Sequence, residues 1–169
     1  MILSYKSINL LNKKIGHFVS YFSILLIIIV CFDVFSRYVF NYTTAAIAEL
    51  EWHLFACIFL LNAGNTLRLD KHVRVDALYS NFSPKVKSAI NILGFFIFLL
   101  PFCCIIIDAS LPYVKNSFII METSTDPGGL PFRFLIKACI PISIFLLFLQ
   151  GLSNCIENTL SLFNSTEKN

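Results

Sequence analysis

This sequence predicts an all-α membrane protein: four transmembrane helices with a short amphipathic helix on the cytoplasmic side. Three observations carry that expectation. Hydrophobic residues make up 57% of the 169 and charged residues only 14%, against about 25% charged in an ordinary soluble domain, and the mean hydropathy is +0.76. The apolar residues gather into long runs, and at roughly 20 mainly apolar residues per span a chain of this length supplies about four. The basic residues stand at the ends of those runs and in the connections, a distribution that sets membrane orientation and does not suit nucleic acid. One membrane domain over residues 1–169 is expected.

The first span is placed at about residues 15–38. Its core, Ile24 to Phe32, is apolar on every face, as a lipid-exposed helix can be. The run is too long for the apolar stretch of a signal peptide and leads into Asp33-Val34-Phe35-Ser36-Arg37 without a small-residue cleavage site, so it reads as a retained helix. The second span, about 44–67, has a short uncharged part, Leu54 to Leu67, that contains Asn62 and Asn65, so its polar side must face other helices. The third span, about 84–111, opens on Ser83-Pro84, a capping residue followed by proline at the first helical position, and Pro101 should kink it. The fourth, about 131–158, starts near Pro131 and meets a second bend at Pro141, with a polar, frayed tail after Leu160.

The connection over residues 68–83 carries Val75, Leu78, Tyr79 and Phe82 at helical spacing between basic residues, the pattern of a short helix lying in the headgroup layer. Val73, Val75, Ala77 and Tyr79 also alternate, so periodicity alone leaves helix and strand open. Arg68, Lys71, Arg74, Lys85 and Lys87 are the candidate membrane-surface cations. With Lys6, Lys13, Lys14 and Lys168 they put nine of the 13 basic residues on one side of the membrane. The positive-inside rule therefore places both termini in the cytoplasm, which requires an even number of spans.

The remaining charges fall at the opposite ends of the spans. Asp33 and Arg37 are four apart and can share a helix face, as can Glu49 and His53, while Lys137 has Asp108, Glu49 and Glu51 as candidate partners on neighbouring helices. They read first as structural ion pairs that fix helix packing, and second as an ion path; a coupling site would call for a broken helix near mid-membrane, and the sequence offers none. Cys31, Cys57, Cys103, Cys104, Cys139 and Cys155 lie inside apolar runs without ligand spacing and read as small packing residues.

A haem-bearing membrane anchor of a redox complex is the rival four-helix reading, and it needs two facing histidines at one depth. His17 and His53 differ by roughly 20 Å in depth, and His72 lies in the connection. Neither a cofactor nor a metal is called for. No nucleophile elbow, phosphate-binding loop or metalloprotease motif suggests an enzyme.

With the topology drawn, three stretches resemble the small membrane subunit of the tripartite ATP-independent periplasmic (TRAP) transporters. They are Asp33 to Tyr38 with Asn41; Glu49 to His53 leading to Leu67-Arg68-Leu69-Asp70-Lys71-His72-Val73-Arg74-Val75-Asp76; and Asp126-Pro127-Gly128-Gly129-Leu130-Pro131 with Arg133 and Lys137. The similarity covers about residues 15–155. It implies a heterodimer in the bacterial inner membrane, in which this chain braces a much larger, twelve-span transport subunit. That partner moves its solute by a sodium-driven elevator motion, and a periplasmic solute-binding protein delivers the solute. The Pro-Gly-Gly-Leu-Pro form implies an organic acid or similar small solute. The resemblance supplies no substrate or ion ligand in the small subunit itself. The Gly128-Gly129 turn reads first as a tight reversal and second as a docking surface for the binding protein.

Overall fold

The computed structural model describes residues 2–70 and 82–166, with side chains described over 5–70 and 82–163. The connection at residues 71–81, and with it Lys71, His72, Arg74 and Asp76, lies outside the described residues, as do Glu167, Lys168 and Asn169.

The chain forms α1 (Ile2–Phe40), α2 (Ala45–Leu61), α3 (Ala63–Arg68), α4 (Pro84–Gly94), a π-helical turn (Phe95–Leu99), α5 (Leu100–Ile119) and α6 (Phe134–Thr166), with no strand among the described residues. Four stretches are long and apolar enough to cross a membrane: Tyr5–Phe40, Ala45–Arg68, Pro84–Ile119 and Phe134–Phe163. The second is made of α2 and α3, and the third of α4, the π turn and α5.

Local chemistry sets the ends. Thr44 caps α2 by accepting from the Ile47 N–H at 3.3 Å, and Ser83 caps α4 by accepting from the Val86 N–H at 3.4 Å, with Pro84 at the first position. Asn41, in the left-handed region at φ 51°, stops α1, and Met121 at φ 48° stops α5. The kink expected at Pro101 takes the form of the π turn just before it, where the Leu100 N–H reaches back to the Phe95 carbonyl. Pro112 and Pro141 lie inside α5 and α6 without ending them.

Three spans are longer than the sequence suggests. α1 begins at Ile2 rather than near residue 15, because Asn9 and Asn12 on its first turns pack against α6. α5 runs to Ile119, past the expected end at residue 111. The polar tail after Leu160 continues as helix through Thr166.

α6 is the central helix: 33% of its apolar window is buried, against 11% in each of the other three spans. It runs antiparallel to α1 and to the third span and parallel to α2. The apolar core gathers around Cys103, Ile144 and Leu147, with Leu67, Leu99, Ile106 and Phe148 packed on it. The third span packs chiefly on α6 and leaves the rest of its circumference open. Large apolar side chains such as Ile27, Ile28, Phe59, Phe98 and Ile105 point outward, as lipid or a membrane partner requires.

Candidate functional site

Two clusters of polar side chains fasten the bundle, one at the end holding the chain termini and one at the end holding the 41–44 and 120–133 turns.

At the turn end, α5 finishes with the Glu122 N–H bonded to the Ser117 carbonyl at 3.0 Å, and the chain then doubles back. The Arg133 N–H donates to the Glu122 carbonyl at 2.9 Å and the Ser124 N–H to the Leu130 carbonyl at 3.1 Å, so the two arms of the reversal are paired. Gly128 forms the tip at φ 75°, where a side chain would be strained. Glu49, only 4% exposed, reaches into this reversal from α2. Its carboxylate accepts from the Ser124 hydroxyl, from the Leu130 N–H at 2.6 Å and from the Arg133 guanidinium at 3.2 Å. Gly129 has no room for a side chain: a Cβ there would stand 2.4 Å from Ser124 Oγ and 2.9 Å from Glu49 Oε2. The Pro-Gly-Gly-Leu-Pro stretch thus supplies a turn at its first glycine, close approach at its second and a donor at Leu130.

The partner of Lys137 is Glu122, and not Asp108, Glu49 or Glu51 as the sequence suggests. The reversal carries Glu122 back over the start of α6, a placement that helix spacing alone cannot give. The Lys137 ammonium also lies 4.0 Å from the centre of the Tyr113 ring. The hydrogen bond from Lys137 holds the Glu122 carboxyl below the usual carboxylate range.

Asp33 and Arg37 do pair, and the buried Asp33 also accepts from the Thr43 hydroxyl at 3.0 Å, tying α1 to the turn before α2. His53 does not pair with the Glu49 side chain. Its Nδ1 bonds the Glu49 backbone carbonyl one turn back, and its ring stacks on Trp52 at 3.9 Å between centroids. Glu51 Oε1 is buried without a hydrogen-bond partner among the described residues. Asp108 is exposed and forms no ion pair with a described residue. Asp126, Pro127 and Pro131 line the exposed side of the reversal. A cleft of about 290 Å³ opens between α2 and α5, with Trp52, Tyr113, Arg133 and Lys137 on its walls.

At the terminal end the fastening is by carboxamides. Gln150, fully buried, accepts from Asn12 Nδ2 at 3.0 Å and donates to Asn9 Oδ1 at 2.6 Å and Asn154 Oδ1 at 2.9 Å. Ser153 donates to Asn9 Oδ1 at 3.0 Å, and Asn9 donates to Glu157 at 2.9 Å. Asn154 reaches the Leu67 carbonyl at 3.4 Å, which brings in α3. Arg68 turns inward, both its Nε and Nη2 bonding Asn65 Oδ1 at 3.1 and 3.0 Å, whereas Lys85 is exposed. Asn91 and Ser88 on α4 meet Asn158 at 3.4 Å and Ser161 at 3.0 Å. Gly64 permits the crossing of α1, α3 and α6: a Cβ there would lie 2.4 Å from Asn12 Oδ1 and 3.2 Å from the Leu146 carbonyl.

This lattice is absent from the sequence reading except for the inference that Asn62 and Asn65 face other helices. A signal was present. Gln150, Ser153, Asn154, Glu157, Asn158 and Ser161 recur every three or four residues, a polar stripe on one face of a helix. The thiols also show one feature the sequence hides: Cys57 and Cys139, both free, approach to 3.6 Å across the second and fourth spans.

A family model described as "Tripartite ATP-independent periplasmic transporters, DctQ component" matches residues 26–160. No curated protein matches the chain.

Proposed function

The chain belongs to the DctQ components of the tripartite ATP-independent periplasmic transporters, the small permease subunits of these systems, and on that premise we propose that it acts as a non-catalytic brace for the large transport subunit. The observation that carries this reading is the fastening at both ends of the bundle. At the turn end the charges of Glu49, Arg133, Glu122 and Lys137 are engaged with one another, and at the terminal end the carboxamides of α1, α3 and α6 interlock. A subunit that must stay still while its partner's transport domain moves needs its own helices held in fixed register, and hydrogen bonds between spans provide that. The open outer faces of α1 and of the third span offer the area against which a large partner packs.

The same reading places the protein in a bacterial inner membrane with both termini cytoplasmic, by the distribution of basic residues. It assigns the partner's work to sodium-coupled uptake of an organic acid or similar small solute handed over by a periplasmic binding protein. The membrane-anchor alternative is not favoured: His17 lies beside Tyr21 on α1, and His53 is held by Trp52 and the Glu49 carbonyl near the other end of the bundle.

Co-expression tests the assignment. A tag on this chain should retrieve the large subunit as a stoichiometric complex, and vesicles containing both should take up solute only with the binding protein and an inward sodium gradient. Full uptake by the large subunit alone would contradict the bracing role.

A further inference from the structure

Between Ser88 and Val114 the third span holds a single charged residue, Asp108. The buried positions of α5 are Cys103, Ser110 and Ser117, and at 100° per residue Asp108 falls on nearly the opposite side of the helix. Its side chain is exposed, and no hydrogen bond or ion pair to a described residue reaches its carboxylate. It lies five residues before Tyr113, whose ring is under the Lys137 ammonium. The carboxylate therefore sits about 7.5 Å deeper in the membrane than the Lys137–Glu122 layer, at 1.5 Å per residue. Pro112 adds a second acceptor at the same place, because without an N–H it cannot give the Asp108 carbonyl its helical hydrogen bond. The flanking Ile105 is 66% exposed. An outward face of a membrane helix thus carries an exposed carboxylate beside a carbonyl that lacks its usual helical donor, in an otherwise apolar setting.

We propose that the Asp108 face of α5 is where the large transport subunit docks, through a membrane helix that brings an arginine or lysine side chain to Asp108. Acyl chains offer no donor, and intramembrane carboxylates are found paired. A second copy of this chain is disfavoured by charge. Two copies share one orientation in the bilayer, so equivalent α5 faces would set Asp108 against Asp108 at equal depth. A guanidinium or ammonium supplies both the opposite charge and enough donors for the carboxylate and the free carbonyl together. The third span packs chiefly on α6, and Asp108 and Ile105 are exposed, so this face is open to a partner. The proposal rests on the transporter assignment and adds to it the surface and the chemistry of contact.

A photo-crosslinking residue placed at Ile105, and at Ile28 on α1 and Phe59 on α2 for comparison, tests this in membranes containing the whole complex. The Ile105 position should crosslink to the large subunit, and the crosslinked peptide should come from a helix bearing Arg or Lys at that depth. Asp108→Asn should lower recovery of the large subunit roughly tenfold while leaving the melting temperature of the isolated chain unchanged, since no described residue pairs with Asp108. Asp108→Arg should lose the complex, and changing the identified cation to Asp should restore it. Crosslinks to the large subunit from Ile28 or Phe59 but not from Ile105 would keep the transporter assignment and overturn this surface. So would a crosslink from Ile105 to a second copy, or unchanged recovery with Asp108→Asn. No crosslink to the large subunit from any position, with none recovered by the tagged chain, would overturn the assignment itself.

Discussion

The carboxylate of Glu49 accepts a hydrogen bond from the backbone N–H of Leu130 at 2.6 Å, joining the start of the second span to the reversal before the fourth. The contact recruits a main-chain donor, so no substitution at Leu130 other than proline removes it and the burden falls on Glu49 and on the space Gly129 leaves. Glu49→Gln puts an amide where an acceptor is needed, with Leu130 and Arg133 both donating. Hydrogen exchange at the Leu130 amide should accelerate by roughly an order of magnitude in that variant, and Gly129→Ala should do the same by forcing Ser124 and Glu49 apart. Unchanged protection in both would show that the reversal holds itself.

Gly64 and Asn12 meet at the other end of the bundle. Gly64→Ala should destabilise the isolated chain by about 1–3 kcal/mol through overpacking against Asn12 Oδ1 and the Leu146 carbonyl. Unfolding in mixed micelles measures it. Adding Asn12→Ala relieves one of the two contacts, so the double variant should show a coupling of at least about 0.5 kcal/mol. Strict additivity would mean that α1 and α3 do not cross there.

Lys137→Met strands Glu122, and the matching repair is Glu122→Gln. The double variant should recover the complex yield that the single loses, whereas Asp108→Asn in the Lys137→Met background should not. Acid titration gives an independent check. The Glu122 carboxyl is held below the usual carboxylate range in the folded protein, so its contribution is present above that range and is lost as pH falls through the lowered value. The melting temperature of the wild type should therefore fall more steeply with acid than that of Glu122→Gln. Parallel pH profiles would contradict the pairing.

The four spans were legible because bilayer thickness imposes a length and composition that few other forces imitate. The cap at Ser83 is equally local, needing only a hydroxyl and a following helix. Glu122 was not readable as the partner of Lys137: it lies beyond the third span, and only the backbone reversal around Gly128 brings it over α6. Asp108 was misread for the opposite reason: residue counting puts it only about 7.5 Å from the Lys137 layer, but its side of the helix is set by the burial of Cys103 and Ser110. The carboxamide lattice was overlooked because Asn, Gln and Ser carry no charge to mark them, although their spacing along α6 showed a polar face where lipid would demand an apolar one.

Orientation rests on the basic residues alone and has its own test. In a background freed of native cysteines, positions Asn41 and Thr125 should label from the periplasm and Ser80 should not. Labelling at Ser80 from that side would overturn the four-span, termini-in topology.

The central claim is that the polar clusters hold the subunit together and do not conduct the coupling ion. The most direct measurement is sodium-driven uptake per assembled complex in reconstituted vesicles supplied with binding protein, for Glu49→Gln, Lys137→Met and Lys137→Met with Glu122→Gln. The brace predicts that the assembled fraction falls in the singles and recovers in the double, while uptake per surviving complex keeps its wild-type dependence on sodium. Assembly at wild-type levels in all three, with uptake no longer driven by the sodium gradient, would contradict it.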